Sequence, residues 1–226
     1  MMILLAFGPG IFWLWYFYRK DRLEPEPKML VLQMFVLGML VVIPCALLEL
    51  LYPWNNLFLL VVGAPVIEEM GKFLVVRYTV YKDQEFDEPM DGIIYAAAVA
   101  LGFASLENLM YIVSYYLHAV ATVSEGRTWE ITFGLSFSRA LLSVPGHVLF
   151  SSMWGFAMGV TKFMPDPTRS RPYVQGGLVL AIVLHGIFNL ICGTPIGAMA
   201  LLVFVFLAWR MVLTRIEYAL RNSPYA

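Results

Sequence analysis

Residues Leu57–Tyr81 read LFLLVVGAPVIEEMGKFLVVRYTVY, an apolar stretch that carries Glu68, Glu69 and Lys72 near its middle. As a helix rising 1.5 Å per residue, it is long enough to cross the roughly 30 Å of hydrocarbon in a bilayer. A charged side chain near the bilayer centre costs about 2.5–3.5 kcal/mol. The stretch therefore predicts a transmembrane helix whose charges are paired with other groups or face water, and so a polar site shared between helices.

The rest of the chain has the same apolar character. Hydrophobic residues make up 60% and charged residues 14%, with a mean hydropathy of +0.74, which excludes an ordinary soluble globule. Six further apolar segments are of span length: Met2–Tyr18, Met29–Leu51, Asp91–Leu117, Ser138–Phe163, Val174–Cys192 and Pro195–Thr214. The fold class is thus predicted to be all-α, a polytopic transmembrane helix bundle of about seven spans. Residues 1–226 are expected to form one integral-membrane domain.

Basic residues are unevenly distributed between the connections. Most of the 15 lysines and arginines fall in odd-numbered connections or in the C-terminal tail. Because basic residues stay on the cytoplasmic side, this predicts an external N-terminus and a cytoplasmic C-terminus. The segment His118–Phe137 is expected to be the one sizeable external loop, and Asp91 is expected to cap the helix that it begins. A net charge of −1 gives no reason to expect nucleic-acid binding.

Four of the predicted spans carry polar residues at a similar depth. Counted from the span ends at 1.5 Å per residue, Glu68, Glu107, His147 and His185 lie about 10–16 Å below the outer surface. All four fall in the outer half of the membrane, as a single site requires. Residues four apart share a helix face, which places Asn189 beside His185.

Neighbouring residues on a helix point about 100° apart, so Glu68 and Glu69 cannot both face one cavity. Lys72 is spaced to pair with either glutamate. One glutamate is therefore expected to face the cavity while the other, paired with Lys72, braces the helix.

Carboxylates and imidazoles around water are the groups needed for general acid–base activation of a nucleophile. Histidine and asparagine side chains can stabilise a developing oxyanion. The candidate catalytic residues are Glu68, Glu69, Glu107, His147 and His185. The candidate supporting or oxyanion-binding residues are Lys72, Asn108 and Asn189. Neither the serine-hydrolase motif Gly-x-Ser-x-Gly nor the zinc-protease motif His-Glu-x-x-His is present.

The buried charges leave the question of a metal open. Three glutamates and one lysine give a formal surplus of two negative charges, which a divalent metal, a protonated histidine or a protonated glutamate could balance. No metal is therefore assigned from the sequence. Zinc is a possible cofactor, with Glu107, His147 and His185 as its candidate ligands.

Two other classes of protein also place ionisable groups inside the membrane. A transporter or channel could use them to relay protons or bind an ion, although seven spans without a visible repeat argue against common transporter designs. A non-catalytic protein could keep the same bundle only to bind other membrane proteins.

Three motifs resemble one known family. They are Glu68-Glu69-Met-Gly-Lys72, Phe103-Ala-Ser-Leu-Glu107-Asn108, and His147 followed by His185-Gly-Ile-Phe-Asn189. In order and spacing they resemble the PrsW family of intramembrane proteases, which is distantly related to the CAAX prenyl proteases and bacteriocin-processing proteases. Where the prenyl proteases have a histidine that activates water, this chain has Glu107, so His147 is the candidate for that role.

The resemblance implies a membrane-embedded endopeptidase of glutamic or metalloprotease type. Its implied substrate is a single-span anti-sigma factor in the lipid bilayer, which receives its first cut on the extracytoplasmic side. That cut starts the regulated proteolysis that activates an extracytoplasmic-function sigma factor.

Overall fold

The computed structural model describes residues 1–51, 56–164, 166–192, 194 and 197–226, and no strand occurs within these ranges. The helices are α1 (Met2–Tyr18), α2 (Lys28–Leu51), α3 (Asn56–Phe58), α4 (Ala64–Tyr78), α5 (Pro89–Thr122), α6 (Glu125–Ser138), α7 (Val144–Lys162), α8 (Pro167–Cys192) and α9 (Gly197–Arg221). A π-helical turn, Leu59–Gly63, joins α3 to α4, and a second, Arg139–Ser143, joins α6 to α7. A short 3₁₀ turn, Val80–Lys82, follows α4.

The described helices therefore form seven continuous rods, which confirms the predicted all-α membrane bundle. Five rods are long and apolar enough to span a bilayer by length and composition. Helix α1 has only 17 residues, and the α3–α4 rod carries several charges, so spanning by these two stays a prediction. The orientation of the termini also stays a prediction, and the predicted start of the last span at Pro195 lies outside the described residues.

The expected external loop at His118–Phe137 is wrong, because this segment is almost entirely helical. Helix α5 continues to Thr122 and α6 begins at Glu125, so only two residues separate them. Packing between the rings of Tyr116 and Trp129, whose centroids are 5.0 Å apart, joins the two helices across this turn. This aromatic packing stabilises a helical hairpin in place of the expected loop.

Helices α5 and α7 form the centre of the bundle. The apolar window of α5 is 78% buried and that of the α6–α7 rod is 83% buried, against 22–33% for α2, α8 and α9. Small residues let the two central helices approach closely: a Cβ atom added at Gly155 would overlap the carbonyl oxygen of Gly92, and one at Gly159 would overlap that of Pro89. Backbone-to-backbone packing therefore positions the two helices that carry Glu107 and His147.

The start of α5 is tied to the α1–α2 connection by buried polar groups. Glu88 is the N-cap residue, and the Asp91 carboxylate accepts the backbone N–H groups of Asp87 at 2.6 Å and Glu88 at 2.7 Å. Asp91 thus completes a capping box from inside the helix instead of standing at the cap itself. The Tyr95 hydroxyl donates a hydrogen bond to the Glu26 carboxylate.

Asp21 and Glu26 belong to a second group of buried carboxyls, at the end of the bundle where these connections meet. Burial, together with the nearby carboxylates of Glu88 and Asp91, raises the pKa of Asp21 to about 8. Burial and the neighbouring Asp91 raise the pKa of Glu26 to about 10. Both pKa values thus lie well above the usual range of a carboxyl group.

Candidate active site within the helix bundle

Helices α4, α5, α7 and α8 meet around two adjoining cavities. The larger, of about 810 Å³, is lined by Glu68, Glu107, Arg139, His147 and His185 among others. The smaller, of about 280 Å³, shares Glu68 and Glu107 with it and continues between α2 and α5. The convergence expected from matching depths is confirmed, because ligand atoms of Glu68, His147 and His185 lie within 4.8 Å of one another.

A proline explains the π turn in front of α4. The α4 backbone begins with the Ala64 N–H bonded to the Leu59 carbonyl, the five-residue step of a π turn. The next such bond would join the Leu60 carbonyl to Pro65, which has no N–H. The Asn189 side chain of α8 donates a hydrogen bond to that free carbonyl at 2.9 Å. Asn189 therefore fixes α8 against the rod that carries Glu68 and Glu69.

The π turn in front of α7 has the same construction. The Val144 N–H donates to the Arg139 carbonyl. The next bond of this kind would join the Ala140 carbonyl to residue 145, but Pro145 has no N–H. The indole N–H of Trp13 in α1 donates to the Ala140 carbonyl at 3.4 Å. Two of the four rods that supply site residues thus carry a π turn next to a proline, and in each a side chain of a neighbouring helix donates to the carbonyl that the proline cannot bond.

Glu69 is the bracing glutamate of the adjacent pair. It is fully buried, and its Oε1 accepts hydrogen bonds from the Lys72 ammonium at 2.8 Å and from His185 Nδ1 at 3.2 Å. Its Oε2 accepts hydrogen bonds from the Ser151 hydroxyl at 2.8 Å and the Trp154 indole at 3.0 Å. Four donors from three helices occupy this carboxylate, so Glu69 orients its neighbours and does not face the cavity.

Glu68 is the glutamate that faces both cavities. Its Oε2 lies 3.4 Å from Lys72 Nζ, 3.8 Å from His147 Nδ1 and 4.0 Å from His185 Nε2. The helix places Glu68 and Glu69 in different directions, as their sequence spacing predicts. Among the predicted site residues, Glu68 is therefore the carboxylate surrounded by both imidazoles.

Glu107 has a cation partner that sequence reasoning missed. Its Oε2 accepts a hydrogen bond from the Arg139 guanidinium at 2.7 Å and lies 3.1 Å from His147 Nε2. The Arg139 guanidinium also lies over the Tyr111 ring, 4.0 Å from its centroid. One signal was available, because an intramembrane carboxylate needs a cation and Arg139 lies at the start of Ser138–Phe163, the predicted span that carries His147.

Asn108 supports Arg139 and does not face the cavity. Its Oδ1 accepts a hydrogen bond from Arg139 Nε at 2.8 Å, and its amide nitrogen lies 3.4 Å from the carbonyl oxygens of Leu5 and Ala6. The residue is fully buried. Asn108, predicted as a supporting or oxyanion-binding residue, thus lies between α1 and Arg139.

The protonation of both histidines follows from their partners. The Lys72 ammonium lies 3.1 Å from His147 Nδ1 and has only donors, so Nδ1 presents its lone pair and Nε2 carries the proton that Glu107 accepts. His185 Nδ1 donates to Glu69, which leaves the lone pair of Nε2 on the side of Glu68. The His147 Nδ1 lone pair thus accepts from the Lys72 ammonium, 3.8 Å from the Glu68 carboxylate, and the His185 Nε2 lone pair lies 4.0 Å from it.

This arrangement fits a zinc ion. Two histidines and a glutamate are the ligand set of many catalytic zinc sites. In such sites a carboxylate commonly accepts the N–H of each ligating histidine, as Glu107 and Glu69 do here. Glu68 takes the place predicted for Glu107, whose Oε2 is occupied by Arg139 and His147.

Sequence comparison identifies similar proteins. A family model described as PrsW family intramembrane metalloprotease matches residues 26–213. Protease PrsW of Geobacillus kaustophilus is 37% identical over 196 residues, which cover 83% of this chain and 78% of that protein. Protease PrsW of Clostridioides difficile is 30% identical over 98% of this chain and 92% of that protein, and Protease PrsW of Bacillus subtilis is 33% identical over 84% and 82%.

No solved structure matches the chain significantly. The family match and the apolar helices make the chain a multi-pass membrane hydrolase, and neither the transporter nor the binding-only alternative is favoured. With a family model that covers most of its length and a buried glutamate–histidine cluster between its helices, the chain belongs to the PrsW family of intramembrane metalloproteases.

Proposed function

We propose that this chain hydrolyses a peptide bond of a single-span membrane protein near the extracytoplasmic face. The substrate implied by the family resemblance is an anti-sigma factor, whose first cut starts the release of an extracytoplasmic-function sigma factor. The observation that carries the proposal is the cluster of Glu68, His147 and His185 beside Glu107 in a cavity of about 810 Å³.

Glu68, His147 and His185 are proposed to hold the reacting water and the scissile carbonyl. Ligand atoms of the three residues lie within 4.8 Å of one another, and each imidazole is held in its orientation by a second carboxylate. A zinc ion bound by these three residues would act as a Lewis acid and make water a nucleophile at neutral pH. Chelation and zinc addition distinguish this zinc site from a metal-free site in which the same groups hold the water.

Glu107 is proposed as the general base and acid. Within the described residues its Oε1 accepts no hydrogen bond, and the side chain lines both cavities. Oε1 can therefore take a proton from the attacking water and return it to the leaving amine. Glu69, with four donors around it, is excluded from this role and serves to orient Lys72 and His185.

Arg139 is proposed to stabilise the tetrahedral oxyanion. It lines the larger cavity, and no hydrogen bond between described residues uses its Nη1 group, while Nε and Nη2 hold Asn108 and Glu107. A fixed guanidinium next to the reacting carbonyl supplies charge where it develops. The amide of Asn189, predicted for this role, donates to Leu60 in this structure.

The smaller cavity supports an apolar, membrane-spanning substrate. Its walls come mainly from α2 and α5 and include Val42, Cys45, Phe103 and Met110. The same cavity combines these apolar walls with the carboxylates of Glu49, Glu68 and Glu107. Water-filled polar sites reached from lipid suit cleavage within or next to a transmembrane segment.

Purified protein in liposomes, with a labelled single-span substrate, tests the proposal. Glu68→Gln, Glu107→Gln and His147→Gln should each abolish cleavage, and chelation followed by zinc addition should stop and restore it. His118→Gln serves as the matched control, because His118 is exposed on α5. Cleavage by Glu68→Gln and His147→Gln at the wild-type rate would overturn the assignment.

The substrate class needs its own measurement. A single-span anti-sigma factor and an unrelated single-span protein of equal hydrophobic length should be compared in the same liposomes. Preferential cutting of the anti-sigma factor on its extracytoplasmic side supports the full proposal. Equal cutting of both proteins would leave the peptidase activity standing and reject the anti-sigma assignment.

A further inference from the structure

Lys72 is a fully buried ammonium with three acceptors. Its Nζ lies 2.8 Å from Glu69 Oε1, 3.4 Å from Glu68 Oε2 and 3.1 Å from His147 Nδ1. The ammonium also lies 4.3 Å from the centroid of the Phe103 ring, a cation–π contact. An ammonium has three N–H donors and no acceptor, so this environment uses every donor that Lys72 has.

Two of these acceptors are atoms that a metal ion in the site would need. Glu68 and His147 belong to the candidate ligand set, and Nδ1 is the His147 nitrogen that lies 3.8 Å from the Glu68 carboxylate. The other nitrogen, Nε2, is engaged with Glu107. An imidazole nitrogen has one lone pair, so the Nδ1 lone pair cannot serve the Lys72 ammonium and a metal at the same time.

The charges around the site give Lys72 a second effect. Among the groups joined by ion pairs, three carboxylates, Glu68, Glu69 and Glu107, and two cations, Lys72 and Arg139, leave one net negative charge when both histidines are neutral. Glu49 also lines both cavities and forms no ion pair with another described residue. A divalent ion changes this to one net positive charge. Without the lysine, the same ion would bring the cluster to neutrality, which is the favoured state where few groups are solvated.

We propose that Lys72 is a built-in counter-cation that occupies the metal-free site and competes with a divalent ion for His147 and Glu68. In the metal-free state it holds the two glutamates and His147 together. On metal binding it gives up His147 Nδ1 and keeps its shortest contact, to Glu69. The inference rests on the zinc site of the proposed function and adds a role for Lys72 in setting how tightly that site binds metal.

Lys72→Met tests this, because methionine keeps an unbranched buried side chain without the charge. Metal-stripped wild type and variant should be titrated with zinc against a chromophoric chelator. We expect zinc to bind the variant about tenfold tighter or more, since one like charge beside the ion is removed. We also expect the metal-free variant to melt at a lower temperature than wild type, and zinc to raise its melting temperature by more.

Lys82→Met, at an exposed lysine beyond α4, is the matched control and should bind zinc as wild type does. Lys72→Gln is the second variant if Lys72→Met does not fold, with the same expected direction. His147→Gln should abolish zinc binding in each background.

Three outcomes separate this inference from the proposed function. Tighter zinc binding by the Lys72 variants supports the counter-cation role. Equal or weaker binding, still lost in His147→Gln, rejects the role of Lys72 and leaves the metal site standing. No zinc binding by wild type or by either Lys72 variant rejects the metal site and this inference together, while cleavage in liposomes decides the peptidase function separately.

Discussion

Replacing Arg139 by methionine should destabilise the protein through the charge it leaves behind. The guanidinium donates to Glu107 Oε2 at 2.7 Å and to Asn108 Oδ1 at 2.8 Å. Breaking a buried ion pair costs about 3–5 kcal/mol, mainly because one charge remains unpaired. The Arg139 and Glu107 side chains retain 14% and 19% of their exposure, so cavity water lowers the expected loss to about 2–3 kcal/mol.

For a chain of this length each kcal/mol shifts the melting temperature by roughly 2–4 °C, so Arg139→Met should melt about 4–12 °C below wild type. The melting temperature is measured on metal-stripped protein in detergent by intrinsic tryptophan fluorescence. Arg127→Met, at an exposed position, is the matched control. Adding Glu107→Gln to Arg139→Met removes the unpaired charge and should recover most of the loss.

The reasoning would be refuted in two ways. Arg139→Met could melt at the same temperature as wild type, which would mean that the ion pair contributes nothing to stability. The double variant could instead show the summed losses of the two single variants, which would mean that Arg139 stabilises the fold independently of Glu107. Cleavage by Arg139→Met at the wild-type rate would separately remove its proposed oxyanion role.

Three further predictions follow from contacts around the site and the bundle. Trp154→Phe removes one donor to the Glu69 carboxylate and leaves a smaller aromatic ring at a fully buried position, so it should cost about 1.5–3 kcal/mol in detergent melts. Gly155→Ala places a methyl group against an α5 carbonyl and should cost about 1–3 kcal/mol. Asp21 and Glu26, with pKa values raised to about 8 and 10, bind protons in the folded state that the unfolded chain releases above about pH 4–5. The free energy of unfolding should therefore fall as the pH rises from about 5 toward 9, and Asp21→Asn should flatten this slope in melts across that range.

Each of these has a control on the same chain. Trp129→Phe removes an indole from a ring stack outside the site and should change the melting temperature less than Trp154→Phe. Gly176→Ala adds a methyl group with nothing within 4 Å and should be neutral or stabilising. Glu130→Gln, at an exposed position, should leave the pH slope unchanged. Equal effects of variant and control would contradict the corresponding prediction.

Much of the architecture was predictable because it depends on local rules. The cost of polar groups in hydrocarbon requires long apolar helices, and the seven predicted segments correspond to the seven observed rods. The loop predicted at His118–Phe137 was wrong, because packing of Tyr116 on Trp129 stabilises a helical hairpin there. Contacts between distant residues such as these leave no local pattern.

The sequence predicted which residues form the site better than it predicted the residues that pair with them. Depth along a helix is a simple product of residue number and rise, which is why Glu68, Glu107, His147 and His185 could be placed at one level. Arg139 was missed as the partner of Glu107 because the two residues lie on different helices. No spacing rule relates residues on separate rods.

The sequence by itself determined that this protein is a helical membrane bundle, and that carboxylates, imidazoles and an ammonium lie together inside it. Both conclusions follow from the lengths of the apolar segments and the high cost of unpaired charge in lipid. Only the tertiary structure decided that Glu69 is enclosed by Lys72, His185, Ser151 and Trp154 while Glu68 faces the cavity. The helical repeat sets the angle between two neighbouring side chains, but the rotation of the helix against its neighbours decides which one meets water.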